Sequence, residues 1–182
     1  MIEKLKSAYA DLRLKREAGE VQRDRKNPDF HRAKRIGILY DATQREEYFK
    51  VKEFFTDLRG CGKHPFSLGY IDFNEVTFHP LARPEADYFF RNQLNWYSKP
   101  AGPVVENFIR EPFDILINLT IRDIYPIDYI TALSKAGLKI GREESAVSYC
   151  FDMRFSLTPE ADEKSFAYMI IHYLNQINVH AS

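Results

Sequence analysis

Two short apolar runs constrain this chain most: Ile36-Gly37-Ile38-Leu39-Tyr40, closed by Asp41, and Ile115-Leu116-Ile117-Asn118-Leu119, closed by Thr120. Neither run alternates apolar with polar. A strand reads this way when helices cover its sheet on both faces, as in a parallel α/β sheet. Each run closes on a polar residue at the strand's carboxyl end, where such sheets place their ligand crevice. The feature argues for an architecture and for the place of a site. It does not specify a reaction.

The rest of the chain fits this frame. The 182 residues are enough for one domain with a sizeable core and short for two. A hydrophobic fraction of 45% marks a folded chain rather than a disordered one. Formal net charge is zero, so no global field draws the chain to nucleic acid or to an acidic membrane. The charge is unevenly placed, however. Residues 1–35 hold eleven Lys and Arg against six Asp and Glu, a net of +5, which leaves −5 on residues 36–182. Cys61 and Cys150 stand apart with no metal spacing. They are expected to be small buried hydrophobes in a reducing, cytoplasmic setting. No run is long and apolar enough to cross a bilayer, and the N-terminus lacks the apolar block of a signal peptide.

Strand and helix patterns alternate along the chain. Ile2, Leu5, Tyr9 and Leu12 recur at helical spacing over 2–18 and form one thin apolar stripe, expected to dock on the domain or on a partner. A polar connector with breakers at Gly19 and Asn27-Pro28 follows over 19–34. Strands are then predicted at 35–40, 66–71, 114–119 and 138–141, with a short one at 87–91. Helices are predicted from Gln44 to Gly60, from Pro103 to Pro112, from Pro126 to Gly137, and after Thr158-Pro159. Thr43 to Glu46 fits a capping box. Residues 147–156 alternate strictly, Val147, Tyr149, Phe151, Met153 and Phe155 against polar neighbours, which predicts an edge strand with one solvated face. The expected fold is therefore α/β: a basic N-terminal helix and connector over 1–34, then one doubly wound three-layer domain over 35–182. That domain is Rossmann-like or flavodoxin-like, with a mostly parallel sheet of about five strands.

Asp41, Thr43, Thr120, Arg122 and Arg142 all follow the ends of predicted strands and are the candidate ligand-binding residues. Asp41 has the chemistry to hold a metal, a ribose or a hydroxyl. The two arginines have the fork that grips phosphate or carboxylate. The plainer account is that Asp and Thr before a helix cap it and that surface arginines are common. The turn Tyr40-Asp41-Ala42-Thr43-Gln44 contains no glycine, which disfavours a dinucleotide fingerprint, and no Walker-type phosphate loop is present. Asn95 and Trp96 lie in an aromatic segment beside Lys99, suited to stacking on a base or sugar, although a tryptophan more often plugs the edge of a core. The histidines show no metal spacing, and His172 reads as structural or surface. A Cys150–His64 couple needs tertiary juxtaposition, and no G-x-S-x-G elbow supports a serine hydrolase. The basic arm suits RNA phosphates or an acidic membrane face, but six interspersed acids oppose both. No cofactor is specified.

Taken together, the basic helix, Arg35–Asp41, Leu68-Gly69-Tyr70-Ile71, Leu94-Asn95-Trp96, Phe113–Leu119 and Ala132-Leu133-Ser134-Lys135-Ala136 resemble a family of bacterial proteins of uncharacterised function and about this length. The similarity implies no activity. The half of this pattern from Phe113 onward, with Lys139-Ile140-Gly141, also resembles the acceptor-side half of heptosyltransferase-type glycosyltransferases. Those need a second Rossmann-like domain for which this chain has no room, so the likeness bears on fold alone. The leading functional expectation is a non-catalytic module that binds a protein partner or small ligand at the crevice around Asp41 and Thr120. The alternatives are an enzyme acting on a nucleotide or sugar with Asp41 as base or metal ligand, and an RNA- or ribosome-associated protein using the basic arm.

Overall fold

The computed structural model describes residues 2–26, 30–73 and 85–177. Its elements are α1 (Ile2–Gly19), β1 (Arg35–Asp41), α2 (Arg45–Gly60), β2 (His64–Ile71), β3 (Ala86–Phe90), α3 (Pro103–Arg110), β4 (Ile115–Asn118), α4 (Tyr125–Leu133), β5 (Leu138–Arg142), β6 (Met153–Phe155) and α5 (Glu163–Ile177). Among the described residues the strands form one six-stranded sheet in the order β3-β2-β1-β4-β5-β6. Every pairing is parallel. This is the order of doubly wound dinucleotide-type sheets rather than the flavodoxin order, and the mostly parallel sheet expected from the sequence is parallel throughout.

Alternation along each strand divides the core. Ile36, Ile38 and Tyr40 of β1, Ile115 and Ile117 of β4, and Leu138 and Ile140 of β5 pack against Val51, Phe54 and Leu58 of α2 and Phe166, Ile170 and Leu174 of α5. Leu39, Leu68, Phe89 and Leu116 point the other way, onto Val105 and Phe108 of α3 and Ile127 and Ile130 of α4. Both predicted apolar runs therefore lie between two helical layers, which is why neither alternates. They are neighbours, with Ile36 opposite Ile115 and Leu39 opposite Asn118. Helices α2 and α4, which follow these two strands, cover opposite faces of the sheet. The β1/β4 boundary is thus the topological switch point of the sheet.

Three expectations need correction. Residues 147–156 do not form one long edge strand: Ser148–Cys150 is a 3-10 turn and only Met153–Phe155 pairs, at the sheet edge. The alternation arises because Val147 and Phe151 drop onto Leu14, Tyr129 and Ala132 while Tyr149 is exposed. Gly141 makes room for this, since a Cβ there would overlap the Phe151 ring. Second, α1 docks through a face other than its apparent apolar stripe. Ala10 and Leu14 are buried, whereas Leu5 and Leu12 are 66% and 68% exposed. The helix lies over α4, where the space suits small and polar groups: Tyr125 Oη donates to the Ala10 carbonyl at 2.9 Å, and Glu17 takes hydrogen bonds from Tyr129 and, at 3.0 Å, from Lys99. Third, Cys61 is exposed and Cys150 only half-buried; both are free thiols. The breaker pair Asn27-Pro28 and the prolines at 80 and 84 lie outside the described residues.

The basic connector closes on the acidic domain. Arg23 grips Asp152 with two hydrogen bonds of 2.7 Å, and Lys26 reaches Asp114 at 3.2 Å. Asp114 also accepts the Lys34 and Arg35 N–H groups at 2.9 and 3.0 Å, and Arg35 pairs with Glu111. Buried Lys63 donates to the carbonyls of Phe30, His31 and Ala33. Burial pushes the Asp114 and Asp152 carboxyls up. The hydrogen bonds from Arg35 and Lys34 to Asp114, and from Arg23 and the Lys139 N–H to Asp152, outweigh it and hold both below the usual carboxylate value. Much of the charge asymmetry in the sequence is thus neutralised within the chain.

Candidate functional site

The carboxyl ends of β1, β4 and β5 form the rim that the sequence predicts, and five of the seven candidate residues stand on it. Asp41 is buried at the end of β1. Its Oδ1 accepts the Thr43 N–H at 3.0 Å, and its Oδ2 pairs with Arg122, which arrives from the loop after β4. Thr43 ties this turn to β2, its hydroxyl accepting the Asp72 N–H at 3.0 Å. Thr120 is buried and donates through Oγ1 to Asn118 Oδ1 at 2.8 Å, while its N–H reaches the same oxygen at 3.0 Å. Asn118 in turn donates to Thr131 of α4 at 3.1 Å. Arg142 ends β5 and pairs with Asp123, whose Oδ1 also accepts the Ala146 N–H at 3.1 Å.

Asn95 and Trp96 stand elsewhere. Asn95 Oδ1 accepts the Tyr97 and Lys99 N–H groups at 3.1 and 2.9 Å, which shapes its own turn. Trp96 is 65% exposed. It stacks on Tyr9 of α1 with ring centroids 5.2 Å apart and meets Tyr97 edge-on at 5.1 Å. His172 is exposed beside Gln176. His64 and Cys150 line different cavities.

The group that sets the chemistry of the rim is Asp128, which the sequence reading missed. It lies on α4, only 3% exposed, and its Oδ1 has no hydrogen-bond partner among the described residues. Burial first, and then the Asp123 carboxylate, push its pKa up to about 7, against the pull of Arg142, the Ile124 N–H and the Asn118 amide. The buried Nε of Arg142 likewise has no partner among the described residues. Asp128 lines a cavity of about 350 Å³ bounded by Asp123, Tyr125, Val147 and Tyr149 and roofed by Asp11 and Lys15 of α1. A signal for it was present: a lone carboxylate inside Ile124-Tyr125-Pro126-Ile127-Asp128-Tyr129-Ile130, an otherwise apolar and aromatic run, is what a helix covered on several sides carries only where a polar group has a task.

Compared with known proteins, the chain matches the model of a family of unknown function, DUF6913, over residues 6–177, and it belongs to that family. No curated protein and no solved structure matches it, so the similarity to heptosyltransferase-type enzymes gains no counterpart there.

Proposed function

We propose that this member of the DUF6913 family is a binding module that holds a small hydroxyl-bearing ligand at the carboxyl rim of β4 and β5. The observation that carries the reading is the buried Asp128, which lines a cavity of about 350 Å³ and whose Oδ1 has no hydrogen-bond partner among the described residues. A buried polar atom without a partner costs about 1–3 kcal/mol, and a ligand that supplies the partner recovers it. A hydroxyl suits the carboxyl, because it can donate to a carboxylate oxygen or accept from a protonated one. Tyr125 and Tyr149 add aromatic walls of the kind that cover a sugar or nucleoside face. Asp41 supports binding over catalysis: both its oxygens are engaged, by Thr43 and Arg122, so it acts as a fixed charge that places Arg122 on the rim.

The test is a thermal-shift screen of monosaccharides and nucleosides on the wild-type chain and on Asp128→Asn. A compound that raises the melting temperature of the first and not of the second supports the reading. A screen without a hit, or a hit indifferent to the substitution, assigns the Asp128 oxygen to water and removes it. A second reading rests on its own observation: Leu5, Leu12 and Trp96 are exposed along one side of α1 and the adjoining loop, an apolar surface suited to a protein partner. If that surface binds, Leu12→Asp releases a protein that the wild-type chain retains on purification.

A further inference from the structure

A second cavity lies under the C-terminal half of α1, and its chemistry is opposite to that around Asp128. It measures about 640 Å³ and is lined by Lys15, Gln22, Arg23, Arg25, Lys139 and Cys150, among others. Among the described residues, no carboxylate lines it. Lys139 is the unusual member. It sits in the middle of β5, paired to β4 opposite Leu116, and is 2% exposed. Strand alternation sends Leu138 and Ile140 into the α2/α5 core, so Lys139 points to the α4 face. There its Nζ donates to the Ala132 carbonyl in the last turn of α4 at 2.9 Å. That bond uses one of the three protons of an ammonium.

Its surroundings do not supply a full counter-charge. Asp152 already accepts two hydrogen bonds from Arg23, whose Nη1 also donates to the Ala136 and Gly137 carbonyls, and it stands 3.7 Å from Arg25. The charged and titratable groups acting on Lys139 are Arg23 and Arg25, which oppose its charge, and Cys150 and Asp152, which favour it. Burial is the largest influence, and together these lower its pKa to about 8. Arg25 is 73% exposed at the cavity mouth, with its charge only partly compensated.

We propose that this cavity is a binding site for a small oxyanion, a phosphate or a carboxylate, held by Lys139 from below and by Arg25 and Lys15 at the mouth. A buried ammonium with free protons, beside two guanidinium groups that share one carboxylate, is an arrangement that an anion completes. The site rests on residues other than Asp128, although the two cavities adjoin at Lys15 and Tyr149.

Isothermal titration of the full chain with inorganic phosphate, pyrophosphate and succinate tests it, and the three probes separate phosphoryl from carboxylate recognition. Saturable binding of one of them is expected, weakened about tenfold by Lys139→Met and about threefold by Arg25→Gln. Arg25 is exposed enough for its variant to fold whatever becomes of the other. In the wild-type chain, the NMR titration of the Lys139 ε-amine moves to higher pH when the bound probe is present, because an anion favours the charged amine. The proposal falls if none of the probes binds saturably, if both variants bind like the wild type, or if the Lys139 titration does not move.

Discussion

At the residue scale, two buried charges shape how the protein responds to pH, and they do so with opposite signs. Asp128 titrates near 7 in the folded chain instead of at 3.8, so between these values the folded state binds more protons than the unfolded one. Its effect is a loss of stability as pH rises through that window, about 4 kcal/mol in total. Asp128→Asn removes the titration, and its urea midpoint should exceed the wild type's at pH 8 and match it at pH 4. Equal midpoints at pH 8 would place the carboxyl in a far wetter setting. Lys139 titrates near 8 instead of 10.5; the folded state there binds fewer protons than the unfolded one. It therefore contributes a gain in stability as pH rises from 8 to 10.5, one that Lys139→Met should abolish in the same measurement. Both costs are of the kind that functional sites carry and packed cores avoid.

At the scale of elements, α1 and β5 are fixed by contacts that hydrophobicity alone ranks wrongly. Leu12 and Leu14 are the same residue type two positions apart, yet one is exposed and the other touches Tyr129, Ala132, Val147 and Phe151. Leu14→Ala should cost about 2–3 kcal/mol in urea unfolding, in line with a small buried cluster, and Leu12→Ala close to nothing. A reversed order would mean that α1 docks on its stripe after all. Gly141 makes a similar point on β5. Any side chain there drives into the Phe151 ring, so Gly141→Ala should destabilise by about 1–3 kcal/mol and loosen the 148–150 turn, read as faster amide exchange there.

For the whole molecule, the connector acts as an electrostatic strap. Arg23 and Asp152 are nearly buried together, with side-chain exposures of 8% and 17%. Arg23→Gln leaves Asp152 with the Lys139 N–H and the exposed Arg25 at 3.7 Å, and should cost about 3 kcal/mol. Asp114 and Asp152 are both held below 3.8, so the stability they confer is present at neutral pH and is lost as pH falls below that value. Acid should therefore release residues 19–34 from the domain, detected as proteolytic cleavage in that segment before the sheet unfolds. With Asp128 costing stability as pH rises above 3.8, these three carboxyls together should place the acid-side stability maximum at about pH 4.

The sequence by itself determined the layers. Runs of apolar residues at 36–40 and 115–119 are long enough in chain and simple enough in pattern that only a strand covered on both faces accommodates them, and their shared rim with Asp41, Thr120, Arg122 and Arg142 followed from strand direction alone. Only the tertiary structure decided which charges are buried. Asp128 stands out in its run as a lone carboxylate and Lys139 not at all, but the burial of both depends on how α1 folds back over α4, above the two cavities they line. The same holds for α1, whose buried face was set by the shape of its neighbours rather than by its own periodicity. Periodicity reports what one element prefers to hide, whereas desolvation depends on everything that packs around it, and that information is spread along the whole chain.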